Sequence, residues 1–295
     1  MDTGISTLVD LDVPIADLAR MIAAAGFTHI SLSHDIKHAR YHLPEGREQL
    51  RRLLDETGLR LNYIHPPLEC YHDLTSPEPQ VRRATIEMMK LALDAVAALG
   101  GCSITVHVAN ESSIPDEQFP QRVSSGLESL KELADYAGQR DAVVTVENLP
   151  ATMDIGRLSL EVIRATADQP EIKVCLDSCH ATMHNSQAVE LVREMAPRVL
   201  TTHLSDTMGD EDSHLMPGEG NVDYPEITRE LGQAGFSGVV DLECSLWMLR
   251  RRHERGALHA DDPVPCSTEH YLERSHAAAL WLGELIERAR LEAGS

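Results

Sequence analysis

Side chains that could bind a metal or move a proton recur at the ends of apolar, strand-like runs in this sequence. In "VCLDSCH" (174–180), an apolar run ends in Asp177, and His180 follows one helical turn later. A buried carboxylate is costly unless it has a partner, which here would be a proton, an arginine or a metal ion. Other runs end in or are followed by residues of the same kind: His34, His65, His107, Glu147, His203 and Glu243.

Strand-like and helix-like runs alternate from one end of the chain to the other. The apolar runs are 5–9, 29–33, 60–64, 103–107, 143–147, 173–177, 199–203 and 239–243. The helical patterns that follow them are 14–25, 44–57, 77–99, 116–137, 158–168, 186–196, 224–234 and 268–290. Nearly continuous apolar strands, each followed by a helix, indicate a parallel sheet covered by helices. Eight such units predict an α/β fold, a (β/α)₈ TIM barrel, as a single domain over residues 1–295.

The alternative architecture is an open, doubly wound sheet. No glycine-rich phosphate loop follows the first run, which disfavours that alternative. In a closed barrel the carboxyl ends of all strands meet at one mouth, so the ligand-type residues would converge there. A lone histidine or glutamate at a strand end is more often structural, and only the recurrence predicts a metal site. Glutamate, aspartate and histidine ligands without a thiolate suit Mn²⁺, Mg²⁺, Co²⁺ or Zn²⁺.

The segment that follows the seventh run, residues 203–227, is rich in polar residues. It contains Asp206 and the D-x-H pair Asp212 and His214, whose spacing favours a role in the site. Asp210 and Glu211 are interpreted as solvated loop acids. The glycines of "PGEGNVDYPEI" (217–227) allow a tight turn, and Pro225 suits the first turn of a helix.

The composition restricts the class of partner. Hydrophobic residues make up 42% and charged residues 25% of the chain, as in a soluble globular protein. The net charge of −21 disfavours a general nucleic-acid binder or a binder of anionic membranes. No signal peptide or membrane span is visible, and the six cysteines form no C-x-x-C pair. We therefore expect a cytoplasmic protein with reduced, mostly buried thiols.

Seven short pieces of the sequence, taken in order, resemble the xylose isomerase-like TIM barrels, a superfamily of sugar isomerases and epimerases that also includes endonuclease IV. The resemblance covers nearly the whole chain, and its strength lies in the order of pieces that are weak alone. The pieces are "HPP" (65–67), "VH" (106–107), "VEN" (146–148), "LDSCHA" (176–181), "THLSD" (202–206), "DSHLMPGEG" (212–220) and "LE" (242–243).

This resemblance implies one divalent metal ion held by Glu147, Asp177, His203 and Glu243. In the sugar epimerases of the group the two glutamates also act as acid and base on opposite sides of a small sugar-like substrate. His180 would then contact a substrate oxygen. The remaining candidates would line the pocket or bind a second metal: His65, His107, Asp212 and His214. Relatives with this fold often pair, so a homo-oligomer is compatible with the resemblance.

The resemblance leaves other activities open. Endonuclease IV cuts DNA at abasic positions with three zinc ions, and this sequence has a matching residue at every ligand position: His65, His107, Glu147, Asp177, His180, His203, Asp212, His214 and Glu243. The stretches "TMHNSQ" (182–187) and "PPLECY" (66–71) depart from what the nuclease would show, and the acidic charge favours a sugar. A metal-dependent dehydratase or lyase is a third reading of the same scaffold.

The segment 245–267, between the eighth run and the last helix, is long for a connection in a barrel and could act as a lid or a binding segment. Its basic run "RRRHER" (250–255) has two interpretations. It could contact an anion, or it could be the solvated face of a helix with Trp247 and Leu249 packed beneath it. The second interpretation is favoured, because charge runs are usually solvated.

Overall fold

Eight parallel strands form a nearly closed barrel in the computed structural model, which describes residues 1–68, 72–110, 113–150, 153–183, 187–256 and 263–294. The strands are β1 (Thr3–Ser6), β2 (His29–Leu32), β3 (Arg60–Ile64), β4 (Ser103–Val106), β5 (Val143–Glu147), β6 (Ile172–Asp177), β7 (Val199–His203) and β8 (Val240–Leu242). Neighbours follow the order β7-β6-β5-β4-β3-β2-β1-β8. A parallel bridge between Leu204 and Leu242 links the two ends of that sheet. The predicted TIM barrel is confirmed.

Helices cover the outside of the barrel. They are α1 (Ile15–Ala24), α2 (Ile36–Ala39), α3 (Pro44–Thr57), α4 (Pro79–Leu99), α5 (Phe119–Gly138), α6 (Asp154–Ala165), α7 (Ser178–Thr182), α8 (Ala188–Met195), α9 (Tyr224–Gln233), α10 (Leu246–Glu254) and α11 (Thr268–Ala293). Eight of them match the predicted helices, with ends shifted by a few residues. The additional helices α2 and α7 have four and five residues, too few turns for a recognisable period, whereas α10 has nine and includes part of the basic run that was interpreted as a helix face.

Local sequence explains the strand and helix ends. Proline occupies the first turn of α3 and α4, and Gly58 and Gly100 follow those helices in the left-handed region, at φ of 73° and 72°. The first predicted strand, 5–9, is displaced toward the N-terminus. The Ser6 side chain accepts a hydrogen bond from the Leu8 amide and caps a 3₁₀ turn at Thr7–Val9, which ends β1 early.

The interior of the barrel below the mouth is polar. The buried Asp241 carboxylate on β8 accepts hydrogen bonds from Ser31 Oγ at 2.6 Å and Asn62 Nδ2 at 2.7 Å. Burial nevertheless raises the pKa of Asp241 to about 7. A Cβ atom on Gly4 would lie 2.5 Å from Asp241 Oδ2, so β1 can pass this carboxylate only with glycine at that position. The hydrogen bonds of Asp241 with Ser31 and Asn62 therefore lie directly below the mouth of the barrel.

Two further expectations concern the thiols and the membrane. Five cysteines are free, namely Cys102, Cys175, Cys179, Cys244 and Cys266, whereas Cys70 lies outside the described residues. Across the described ranges, no helix combines the length and the apolar character that crossing a membrane requires.

Candidate active site

Four strands bring a compact cluster of ligand-type side chains to the mouth of the barrel. Glu147 ends β5, Asp177 ends β6, His203 ends β7 and Glu243 follows β8, and all four are buried. One ligand atom from each lies within 4.8 Å of the ligand atoms of the others. His203 Nδ1 lies 3.3 Å from Glu147 Oε2 and 3.0 Å from Glu243 Oε2. We call these four residues the central cluster.

Several buried polar atoms of the central cluster are not satisfied by the protein. Glu147 Oε2, Asp177 Oδ2 and both ring nitrogens of His203 make no hydrogen bond of good geometry to the described residues. Such atoms are costly to bury, and a divalent cation would satisfy the two carboxylate oxygens and one of the two ring nitrogens. Three carboxylates and one imidazole fit Mn²⁺, Mg²⁺, Co²⁺ or Zn²⁺, so the donor set is suited to a metal ion without selecting one.

The charges in the central cluster are strongly perturbed. Burial raises the pKa of Asp177 to about 7. Burial acts in the same direction on Glu147, but the imidazoles of His203 and His107 outweigh it and hold the pKa of Glu147 well below its usual range. The pKa of Glu243 falls to about 2, because His203 again outweighs burial. Perturbed groups that share one cleft are typical of a functional site.

His65 and His107 extend the cluster on the side of Glu147. Their Nε2 atoms lie 3.4 Å and 3.3 Å from Glu147 Oε2. Their Nδ1 atoms face acceptors, the Pro66 carbonyl at 2.9 Å and Asn110 Oδ1 at 3.2 Å. An acceptor-only oxygen requires a hydrogen on Nδ1, so in the neutral ring the lone pair of Nε2 is directed toward Glu147. These three side chains form a second group that could hold a metal.

A third group lies on the other side of the mouth. The Asp212 carboxylate lies between two imidazoles, with Oδ2 at 3.1 Å from His180 Nε2 and Oδ1 at 3.2 Å from His214 Nε2. The Nδ1 atoms again face carbonyls, of Asn148 at 3.0 Å and of Glu243 at 2.8 Å. Each Nε2 therefore either carries a proton and donates it to the Asp212 carboxylate, which makes the ring an imidazolium, or shares a bound cation with that carboxylate.

The charge of Asp212 dominates the electrostatics of this third group. Burial lowers the pKa of His214, but Asp212 outweighs that effect and raises the pKa to about 10. His180 behaves in the same way, and Asp177 and Asp212 together hold its pKa well above the usual range. In the absence of another cation, the two histidines would be the positive partners of Asp212 at neutral pH.

The loop after β7 carries Asp212 and His214 into place. Asp206 accepts hydrogen bonds from the amides of Thr207, Gly218 and Val222 at 2.9, 2.8 and 3.0 Å, so its carboxylate ties the loop together. An antiparallel bridge pairs Asp206 with Leu215. His214 adopts φ of 46°, a left-handed conformation that is uncommon outside glycine and is often found at functional sites.

A cavity of about 550 Å³ lies beside the clusters. His34 lines it, and the His34 ring lies 6.1 Å from the ring of His65, which connects the cavity to the metal-ligand candidates. Burial lowers the pKa of His34 to about 4, so this ring is neutral at pH 7. Asp12, Trp247 and Arg251 line the same cavity, and its volume is in the range of small-molecule sites.

The first three residues of the basic run on α10 form ion pairs. Each of its three successive arginines pairs with an acid on another loop, and Leu249 is buried beneath them. The pairs are Arg250–Asp10 at 2.6 Å, Arg251–Asp12 at 2.9 Å and Arg252–Glu211 at 2.6 Å. The interpretation as a helix face agrees with the buried Leu249 and the exposed His253 and Arg255, whereas the ion pairs were not predicted because their partners lie far away in sequence. The anion contact stays a prediction. Glu211 is exposed, as the interpretation of a solvated acid expects, and it also pairs with Arg252.

All nine predicted site residues lie at the mouth. They are the central cluster, His65 and His107 beside its Glu147, and the third group of His180, Asp212 and His214. Their individual roles stay predictions. Sequence reasoning missed the residues that orient them. Asn148, the last residue of "VEN", exchanges two hydrogen bonds with the main chain of Asp177, at 2.9 and 2.8 Å, and so couples β5 to β6. Tyr63 packs its ring 5.1 Å from the ring of His203.

Comparisons with known proteins agree with this architecture. A family model described as "Xylose isomerase-like TIM barrel" matches residues 19–258. The uncharacterised protein y4fM of Sinorhizobium fredii is 25% identical and the match covers 92% of this chain and 89% of that protein. Fructoselysine 3-epimerase of Escherichia coli O157:H7 is 22% identical, and the match covers 82% of this chain and 90% of that protein. The solved structure of D-psicose 3-epimerase in the presence of D-fructose superposes with a TM-score of 0.75 at 17% identity. The superposition covers 96% of this chain and 99% of that one.

Proposed function

Because the chain belongs to the xylose isomerase-like TIM barrel family, we propose that it is a divalent-metal-dependent epimerase or isomerase of a sugar or related polyhydroxy ketone. One observation carries the proposal. Glu147 and Glu243 are both buried at the mouth, and an oxygen of each lies within 3.3 Å of the same atom, His203 Nδ1. Curated relatives and structural neighbours that are sugar 3-epimerases support the same reading.

A bound divalent ion would polarise the substrate carbonyl and so acidify the neighbouring carbon. The two glutamates would then carry the proton. One carboxylate would remove a proton from the carbon beside the carbonyl and leave the substrate as its enediolate. The other glutamate would take up a proton from solvent and return it to the opposite face. Each carboxylate has two oxygens, so one can face the substrate. His180 would hold a substrate oxygen, and the adjoining cavity would receive the rest of a sugar-like molecule.

The expected reactant is a small polyhydroxy molecule, with no membrane and no nucleic acid as partner. The net charge of −21 disfavours a phosphate backbone, and the arginines of α10 are paired with acids. We also propose a cytoplasmic location, which the free thiols of the described cysteines support, because thiols stay reduced there.

The test is hydrogen exchange from solvent at carbon. The protein, loaded with Mn²⁺, Mg²⁺, Co²⁺ or Zn²⁺ in turn, is incubated in heavy water with D-fructose, D-psicose and fructoselysine. We expect deuterium at the carbon beside the carbonyl with at least one metal and substrate. Glu147→Gln and Glu243→Gln should each lower the exchange rate by about 10²–10⁴-fold, because each removes an acid–base group.

The matched control is Glu132→Gln, which removes a carboxylate from the outer helices, where Glu132 pairs with Arg83 and Lys90. With Glu132→Gln, deuterium should enter the substrate at the same rate as with the unmodified protein. Turnover of a substrate without exchange at that carbon would point instead to a hydride shift. Loss of water from the substrate would identify a dehydratase or lyase.

The two outer groups favour a second candidate function, an endonuclease IV-like, zinc-dependent cleavage of DNA at abasic sites. His65 and His107 with Glu147, and His180 and His214 with Asp212, could each hold a Zn²⁺ beside the central cluster. Metal analysis of protein purified without chelator separates the two functions. About one ion per chain favours the sugar enzyme, whereas three zinc ions and chelator-sensitive incision of a synthetic abasic duplex would favour the nuclease.

A further inference from the structure

Arg252 connects helix α10 to the loop that carries Asp212. Its Nη2 atom lies 2.6 Å from Glu211 Oε1, and the Arg252 side chain is 13% exposed. Glu211 is the residue immediately before Asp212 in the chain. The ion pair therefore acts on the backbone that presents the Asp212 carboxylate to the two imidazoles of the third group.

The rings on either side of Asp212 are fixed without its help. His180 Nδ1 lies 3.0 Å from the Asn148 carbonyl, and His214 Nδ1 lies 2.8 Å from the Glu243 carbonyl. The His214 carbonyl in turn accepts a hydrogen bond from the Ser245 amide at the start of α10. Asp212 thus has to be brought to two rings that are already in place.

Asp212 is not held by burial. Its side chain is 38% exposed, whereas that of Glu147 is 1% exposed. The loop is tied at its base by Asp206, but the segment 208–212 runs beyond that tie. Near its end the Thr207 hydroxyl donates to the Glu211 carbonyl at 2.6 Å, and Arg252 holds the Glu211 side chain.

We infer that Arg252 is a positioning residue: through Glu211 it holds Asp212 between His180 and His214, so that the third group is assembled before any ligand arrives. The sequence separates Arg252 from Asp212 by a strand and a helix, and only the closed barrel brings them together. The inference rests on the proposed function for the use of this group, but not for its geometry, which the free protein itself can report.

The experiment measures amide hydrogen exchange of residues 208–214 in metal-free protein, with Arg252→Gln, Glu211→Gln and the charge-reversed double variant Arg252→Glu/Glu211→Arg. We expect about three- to tenfold faster exchange in each single variant, because a partly buried ion pair is lost, and recovery toward the original rate in the reversed pair. Exchange in β5 should be unchanged in all three variants, since a local effect leaves the barrel intact.

The matched control is Arg251→Gln. Arg251 precedes Arg252 on the same helix but pairs with Asp12 and Glu254, so exchange at 208–214 should not change. A Zn²⁺ titration of the same proteins gives a second readout. Arg252→Gln should weaken or abolish binding by the group of Asp212, and the reversed pair should restore it, while binding at the central cluster persists.

Two results would overturn the inference: unchanged exchange at 208–214 in Arg252→Gln, or faster exchange that the reversed pair fails to correct although the protein is folded by circular dichroism. Neither readout involves a sugar. If no substrate exchanges deuterium but Arg252→Gln loosens 208–214 and the reversed pair restores it, the proposed function fails and the positioning role stands.

Discussion

Two buried carboxylates in this barrel, Asp73 and Glu147, have almost the same exposure and opposite surroundings. Asp73 is 2% exposed and accepts hydrogen bonds from Arg122 Nη1 at 2.7 Å, the Thr75 amide at 2.7 Å and the Thr75 hydroxyl at 2.6 Å. Glu147 is 1% exposed, yet its Oε2 atom finds no well-aligned donor in the described part of the chain. Burial alone therefore does not distinguish a carboxylate that its own chain satisfies from one that it leaves without aligned donors.

The two carboxylates differ in the source of the positive charge that faces them. Asp73 has a permanent cation and several donors from its own chain, so its burial is compensated within the fold. Glu147 is surrounded by imidazoles, whose charge depends on protonation, and by other carboxylates. Breaking a pair of the first kind should destabilise the protein whether or not a metal ion is present, whereas the contribution of the second kind should increase when an external cation is bound.

The largest effect on stability should come from Asp73. Asp73→Asn breaks a buried ion pair and leaves the Arg122 guanidinium without its counter-charge, which should lower the free energy of unfolding by about 3–5 kcal/mol in urea denaturation. The control is Asp116→Asn, since the pair of Asp116 with Arg157 is solvent-exposed and its loss should lower the free energy of unfolding far less. Equal losses in the two variants would break the comparison.

Metal binding should have an intermediate effect, confined to the mouth. A divalent ion at 100 times its dissociation constant should stabilise the native state by about 2.7 kcal/mol, and chelator should remove that increment. In thermal unfolding, Glu147→Gln should lose most of the metal-dependent increment, whereas Asp73→Asn should retain it. An increment that survives in Glu147→Gln would show that the ion binds elsewhere.

The smallest effect should come from the surface carboxylate Glu132. Its hydrogen bond from Arg83 outweighs burial and, with Lys90, lowers the pKa to about 2. Because the pKa is depressed in the folded state, the stabilisation is present above the usual value of 4.5 and is lost as the pH falls toward 2. Solvent screening limits the contribution, so Glu132→Gln should cost less than about 1 kcal/mol at pH 7. That cost should vanish near pH 2 in pH-dependent unfolding, and a cost that persists there would contradict the pKa.

Sequence reasoning reached the strand ends because two regularities coincide there. Nearly continuous apolar runs indicate buried strands. A polar residue at the end of such a run, such as Asp177 or Glu147, indicates the end of the strand that lies at the mouth of the barrel. The barrel and the convergence of the nine candidates follow from that placement.

The orienting contacts could not be predicted in this way. The partner of Arg252 is 41 residues away and depends on how two loops fold over the mouth. Main-chain carbonyls fix the tautomers of His180 and His214. Because every residue has such a carbonyl, the sequence gives no sign of which one will accept the hydrogen bond. A four-residue helix such as α2 likewise has no period, and its N-cap, Asp35, becomes visible only once the helix is known.

The bridge between Leu204 and Leu242 has a consequence for biosynthesis. His203 and Glu243 lie next to the two residues of that bridge, on either side of the junction that links the ends of the sheet. A nascent chain emerging from the ribosome therefore carries Glu147, Asp177 and His203 for some time before Glu243 arrives and β8 docks between β1 and the end of β7. The complete set of candidate ligands exists only after translation has passed residue 243, so a metal ion that needs all four side chains could bind only after that point.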